Sequence, residues 1–181
     1  MKYSIDICDK LVQLVSPVSA EIIQRESKMP IVKVSAQVLR KVIQIAMSNP
    51  ELKFNFLNNI SGTHLTETSE EGEIKSRGFS LLYVLSRSDD FSSVVIGVDL
   101  PDLNPSVDSV DDIFGSANWF EREIYDLLGV VFNDSCDLRR IMLPDDWVGH
   151  PLRKDFQEKS SYNGIPTTRE DELAAVRVDN L

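Results

Sequence analysis

Only two cysteines, Cys8 and Cys136, and two histidines, His64 and His150, occur in this chain of 181 residues. With no CxxC pair and no set at zinc or iron–sulfur ligand spacing, neither a metal nor a cluster is expected on the chain. Long hydrophobic runs are missing as well. Purely apolar stretches, such as Val94 to Ile96, extend a handful of residues against the roughly 20 that a membrane-spanning helix requires, so membrane attachment is expected only through partners. Asp6, Asp9 and Lys10 interrupt any signal-peptide core, and the acids argue against a transit peptide, which makes a reducing cytoplasm the expected compartment. Basic residues are also in deficit: 19 Lys and Arg face 29 Asp and Glu, for a net charge of -10. A phosphate backbone is repelled on average, no basic stripe with interleaved aromatics offsets this, and nucleic acid is not an expected partner.

What is present is a hydrophobic content of 42%, enough for one core, so one domain of ordinary size followed by a tail is expected. Ile5, Cys8, Leu11, Val12 and Val15 share one helical face that ends at Ser16-Pro17, which predicts a short opening helix. Loose alternation between Val18 and Val34, interrupted by Lys28, Met29 and Pro30, predicts two strands or a strand and its return. Ser35 is a suitable N-cap for a helix carrying Val38, Leu39, Val42, Ile43, Ala46 and Met47 at core-facing spacing, stopped by Ser48-Asn49-Pro50. Phe54, Phe56 and Ile60 begin a strand that runs into Ser61-Gly62 and the polar turn from Glu67 to Gly72. Two stronger strands follow, Phe79 to Leu85 and Val94 to Leu100, joined in hairpin fashion by the polar link Ser86 to Ser92. The pattern predicts an α+β class, an antiparallel or mixed sheet with helices packed on one face.

The densest information lies between Trp119 and Phe156. Phe120, Ile124, Leu127 and Leu128 recur at helical spacing with Glu121, Arg122, Glu123 and Asp126 between them, and Gly129 stops the helix as a left-handed terminal residue does. Beyond it no period survives. Pro144, Gly149 and Pro151 punctuate a stretch in which Arg139-Arg140 and Arg153-Lys154 sit among acids and aromatics. An extended segment without an apolar face of its own gains order by lying on something else. The chain therefore divides into an α+β globular domain over residues 1–129 and an extended partner-binding segment over residues 130–181, with a last helical turn or two from Arg169 to Val178.

Two readings of the charged residues stand side by side. Glu121, Glu123 and Asp126 with His150 supply the group types of a general acid–base site, provided that they converge. Alternatively, Arg122 and Asp126 pair at i, i+4, Glu123 answers a downstream arginine, and His150, between Gly149 and Pro151, is a hydrogen-bonded corner. Cys136 is either a thiol activated by Arg139 and Arg140 or an idle one, and no paired base or resolving cysteine accompanies it. Trp119 and Trp147 flank the segment as core residues or as interface anchors, the neighbouring arginines favouring the interface. Arg139, Arg140, Arg153 and Lys154 suit bidentate pairing with carboxylates, within the chain or across a subunit boundary, with solvated surface charge as the alternative.

At these residues the chain resembles the 30-kilodalton subunit family of respiratory complex I, known in bacteria as the C subunit of NADH-quinone oxidoreductase. Ala117-Asn-Trp119-Phe-Glu-Arg-Glu-Ile-Tyr-Asp126 fits the family's A-x-W-x-E-R-E-x-x-D, and Leu138-Arg-Arg-Ile-Met142 resembles its L-R-R-I-L. Asp145-Asp-Trp-Val-Gly-His-Pro-Leu-Arg-Lys-Asp155 fits D-D-W-x-G-H-P-L-R-K-D. Weaker likeness reaches upstream, through Asp108-Ser109-Val110 and the strand pair, to about Phe54. One departure is Asp134-Ser135-Cys136, which stands where the family usually has glycine, histidine and proline. No role is carried onto Ser135, and the missing glycine predicts a different local turn.

The resemblance implies a non-catalytic scaffold subunit of the peripheral arm, on the cytoplasmic side of a bacterial inner membrane or the matrix side of an organelle. Such a subunit binds no cofactor itself; FMN and iron–sulfur clusters sit in partner subunits, and it packs chiefly against the 49-kilodalton subunit and cluster-bearing subunits. The resemblance further implies structural or partner-binding roles for Trp119, Glu121, Arg122, Glu123, Asp126, Arg139, Arg140, Asp146, Trp147, His150, Arg153, Lys154 and Asp155. Homologous subunits of membrane-bound hydrogenases and related cofactor dehydrogenases form the alternative of the same kind. A free-standing acid–base enzyme using Glu121, Asp126 and His150 is the alternative of another class.

Overall fold

The computed structural model describes residues 2–3, 5–15, 20–23, 30–68 and 74–167. In chain order the elements are β1 (Lys2–Tyr3), α1 (Ile5–Val15), β2 (Ala20–Ile23), β3 (Ile31–Val34), α2 (Ala36–Ser48), β4 (Phe56–Thr68), β5 (Ile74–Ser86), β6 (Ser92–Leu100), β7 (Ser106–Asp108), α3 (Ala117–Leu128), β8 (Val131–Asn133), β9 (Ser161–Tyr162) and β10 (Ile165–Pro166). The helical turns expected from Arg169 to Val178 lie outside the described residues.

Period-two alternation builds the centre of the molecule. β5 and β6 form the expected hairpin, in which Phe79, Leu81, Tyr83 and Leu85 lie opposite Leu100, Val98, Ile96 and Val94, all of them buried. Successive strand residues point to opposite faces, so this set shares one side of the sheet. β4 flanks β5 antiparallel, β3 joins β6 in parallel with β2 antiparallel beyond it, and β1 pairs in parallel with the start of β6. The result is a mixed sheet of order β2-β3-β6-β5-β4. The three helices among the described residues feed one continuous core on the apolar face: Cys8, Leu11 and Val15 from α1, Leu39, Val42, Ile43 and Ala46 from α2, Ile124 and Leu128 from α3. α3 comes close to β4 because Gly62 has no side chain. A Cβ there would stand 2.7 Å from Leu128 Cδ1 and 3.3 Å from Ile124 Cγ2.

Three local expectations change. Ser35 occupies the N-cap of α2 with extended backbone, but its hydroxyl makes no capping hydrogen bond. Phe54 does not open β4; its N–H donates to the Ala46 carbonyl at 3.0 Å, which ties it to the end of α2 and buries it there. The body also does not stop at Gly129. β8 pairs in parallel with β7, and Val130 and Phe132 join the core beside Val107 and Val110, so the chain keeps contributing to the domain past the expected boundary.

Candidate functional site

α3 carries the most unusual chemistry in the molecule because two of its acids point inward. Ala117, Glu121, Ile124, Asp126 and Leu128 are buried, while Phe120 and Leu127, expected on the apolar stripe, are only partly covered. A helix leaves its last carbonyls without partners, and a chain that turns back at a left-handed residue can supply them. Gly129 takes that conformation with φ 78, and its N–H returns to the Tyr125 carbonyl. The segment beyond it folds back along α3. His150 Nδ1 lies 2.9 Å from the Asp126 carbonyl, Leu152 N–H donates to the Leu127 carbonyl at 3.0 Å, and Arg140 Nη1 donates to the Asp126 carbonyl at 3.3 Å. Because a carbonyl only accepts, His150 carries its proton on Nδ1 toward Asp126.

The Asp126 carboxylate holds this segment in place. It accepts from the backbone N–H groups of Ile141, Met142 and Leu143 at 3.1, 2.8 and 2.9 Å, and from Arg140 Nη1 at 2.7 Å. Arg140 completes the clasp by donating through Nη2 to the Gly149 carbonyl at 3.2 Å. Burial works against the Asp126 charge, but donation from Leu143, Met142, Arg140 and Ile141 outweighs it and holds the carboxyl below its ordinary range. The expected Arg122–Asp126 pair is therefore not formed: Asp126 faces inward, whereas Arg122 donates through Nε to the Arg139 carbonyl at 3.0 Å and lies 5.5 Å from the centroid of the Trp119 ring.

Glu121 has the opposite character. Its side chain is sealed in the core, where it accepts from Ser109 Oγ at 2.6 Å and from Val110 N–H at 2.9 Å, with no basic partner among the described residues. Burial pushes its carboxyl up to about 7, against the pull of those two donors, and the nearby Asp111 and Asp112 charges add to the rise. The Tyr83 hydroxyl, buried without a hydrogen-bond partner among the described residues, is raised by its own burial and by the Glu121 charge. Glu121, Asp126 and His150 thus do not converge on a common space. Each spends its polar atoms on this chain's own backbone or on neighbouring side chains. The cavity of about 170 Å³ beside α3 is lined by Asn59, Gly62, Glu123, Leu127 and Leu152, and the larger one of about 540 Å³ by Asp102, Pro105, Gly129, Val131 and Arg153 among others.

The remaining predicted residues are distributed along the same segment. Glu123 is exposed at the rim of the smaller cavity, and the downstream arginines find other partners: Arg139 pairs with Asp137, Arg140 with Asp126, Arg153 with Asp155. Asp146 accepts from the Tyr162 hydroxyl at 2.8 Å, and Trp147 packs against the Tyr162 ring at 5.2 Å between centroids. Lys154 sends its side chain outward. Trp119 is 65% exposed. Cys136 is exposed, and hydrogen bonding with Asp111 raises its thiol, the reverse of activation. At the position where the resemblance expects glycine, Asp134 takes φ 59; aspartate tolerates the left-handed region better than most residues.

One constellation was missed. His64 projects from β4 into the core face, stacked on Phe79 with centroids 4.7 Å apart. Its Nδ1 accepts the Lys154 N–H at 2.9 Å and its Nε2 lies 2.7 Å from Ser76 Oγ, which donates to Asp102. Serine, histidine and aspartate in one chain resemble a nucleophilic site, but the protons exclude it. A nitrogen that accepts from a backbone N–H is unprotonated, so the proton of neutral His64 sits on Nε2 and is donated to Ser76, leaving no base for the hydroxyl. The signal was available in the period-two pattern: Ile60, Gly62 and His64 share the inward face of β4.

A family model described as the respiratory-chain NADH dehydrogenase 30 Kd subunit matches residues 32–162, beginning upstream of the Phe54 limit seen in the motifs. The chain is 45% identical over 94 residues to the NADH-quinone oxidoreductase C subunit of Geobacter sulfurreducens, covering 52% of this chain and 57% of that protein. It is 32% identical over 133 residues to the fused NADH-quinone oxidoreductase C/D subunit of Proteus mirabilis, covering 74% of this chain and 22% of the longer one. The chain spans little more than half the length of the unfused curated relatives it matches. Among solved structures, the trypsin-resistant fragment of Nqo5 is similar with a TM-score of 0.57 over 73% of this chain and 99% of the fragment, at 24% identity, a likeness of fold.

Proposed function

The chain belongs to the family of the 30-kilodalton subunit of respiratory-chain NADH dehydrogenase, and from that premise we propose that it is a non-catalytic bracing subunit in the peripheral arm of a proton-translocating NADH-quinone oxidoreductase. In such a complex electrons pass from NADH through flavin and iron–sulfur clusters to quinone. On this reading those groups belong to neighbouring subunits and this chain positions them from outside. The unfused relatives support the assignment, and the fused C/D relative favours the 49-kilodalton subunit as principal neighbour. The chain lies on the cytoplasmic side and reaches the membrane through the complex; among the described residues no helix is long and apolar enough to cross one.

One observation carries the reading. Asp126 and Arg140 are engaged within the chain and clamp residues 140–143 to α3, while several apolar side chains of the signature segment face outward: Trp119, Met142, Val148 and Leu152 are 65%, 62%, 63% and 56% exposed. A segment pinned by its polar groups with its apolar groups left in solvent is suited to docking, and a rigid tryptophan backed by an arginine is the type of side chain that dominates interface energetics. Trp119→Ala is expected to leave the thermal stability of the isolated chain within about 0.5 kcal/mol, because the ring is largely exposed. Co-purification of the 49-kilodalton subunit with the tagged variant is expected to fall about 30-fold, the loss typical of a hot-spot aromatic. Undiminished recovery of that neighbour would remove Trp119 from the interface.

A further inference from the structure

We infer that His64 is a protonation-sensitive latch for the strap formed by residues 150–156, a property of this chain that stands apart from the identity of its partner. Besides the Arg153 side chain, which reaches Asp102 and Phe79, two anchors of different chemistry hold the strap to the body. The first is Asp126, which grips residues 140–143 through a carboxylate and meets His150 through its own carbonyl at the end of α3, where Leu127 likewise receives Leu152. The second is His64, ninety residues before Lys154 in sequence, whose Nδ1 accepts the Lys154 N–H at 2.9 Å. That hydrogen bond exists in one protonation state only. Ser76 Oγ gives its single proton to Asp102, so it accepts from His64 Nε2–H, and the Nδ1 lone pair is left facing Lys154.

Adding a proton to His64 therefore places it on Nδ1, head to head with a backbone N–H. Two donors at 2.9 Å repel, and the strap must lift at Lys154 for the imidazolium to persist. Charged groups of both signs stand near the ring. Asp102 lies 3.9 Å from Nε2 and Asp155 is close enough in the strap to feel the imidazolium charge, while Arg153, 5.1 Å from the Phe79 centroid on which His64 stacks, opposes it. Lys154 is exposed, and β5 presents Ser76 and Phe79 to the ring. Lifting the strap moves Arg153 away and removes the opposing charge. Asp126 keeps its grip at the same pH because its carboxyl is held below the ordinary range. The opening is thus confined to the stretch around Lys154 and leaves residues 140–143 clamped.

Amide hydrogen exchange on the full chain, corrected for intrinsic rates, tests this directly. Between about pH 7.5 and about pH 5.5, protection of the Lys154 amide is expected to fall about tenfold while that at 141–143 stays constant. His64→Asn retains an acceptor near the Nδ1 position but does not titrate, and is expected to remove the pH dependence. A wild-type strap equally protected at both values, or one that opens identically in the variant, overturns the proposal. Should the variant fail to fold, nitrogen-15 shifts of the wild-type imidazole at neutral pH give an independent reading: a protonated Nε2 and unprotonated Nδ1 are expected, and the opposite tautomer refutes the latch.

Discussion

Asp126→Asn is expected to destabilise the chain by about 3–5 kcal/mol, the cost of leaving one member of a buried ion pair without its partner. The side chain is fully buried, and its carboxylate answers three successive backbone N–H groups as well as the Arg140 guanidinium. Asparagine has nearly the same shape but offers one acceptor oxygen and turns an NH2 group toward donors that need an acceptor. Arg140, itself largely covered, then sits beside a neutral amide. The segment from Ile141 to Leu143 has no regular secondary structure and little burial to hold it otherwise, so its amide protection should disappear along with the stability. Urea unfolding of the two proteins at neutral pH measures the difference; equal midpoints and slopes would mean that the clasp contributes nothing.

Glu121→Gln is expected to act in the opposite direction and only on one side of a pH boundary. The folded chain holds the Glu121 carboxyl at about 7 whereas the ordinary value is 4.5, so the native state binds this proton more tightly than the unfolded state does. Wild-type stability is therefore undiminished below the ordinary value, declines as pH rises from there toward 7, and is constant above it. At about 1.4 kcal/mol per unit, the decline amounts to roughly 3 kcal/mol. Glutamine has no proton to lose and keeps one acceptor for the Val110 N–H. The variant should match wild type near pH 4 and exceed its stability by up to about 3 kcal/mol at pH 8. Denaturant titrations at the two pH values decide it, and a gap of the same size at both would show that Glu121 does not ionise in the folded chain as its burial requires.

Both substitutions concern acids that the sequence pattern assigned to the wrong side of the helix. Charged residues are seldom fully buried, and the pattern accordingly set Phe120 and Leu127 inward and paired Asp126 with Arg122 one turn away. The side chain's true partners lie 14 to 17 positions downstream, in a stretch with no periodicity to reveal where it returns. By contrast, the β5–β6 hairpin was legible because two dense runs of aliphatic and aromatic residues, Phe79 to Leu85 and Val94 to Leu100, are separated by a polar link, and the end of α3 because Gly129 is the residue that a left-handed terminus favours. The parallel addition of β3 to β6 left no local trace, since nothing within Ile31–Val34 distinguishes a parallel from an antiparallel neighbour. His64 was legible in principle from its inward register, yet its bond to Lys154 spans ninety residues and appears only when the chain is folded.

Affinity purification of the tagged chain from gently solubilised membranes, with its companions identified by mass spectrometry and NADH-quinone reductase activity assayed, tests the bracing role most directly. Recovery with flavin-bearing, cluster-bearing and quinone-site subunits in an active complex is the predicted result. Recovery as a lone soluble monomer, or with the subunits of a nickel hydrogenase instead, would contradict it.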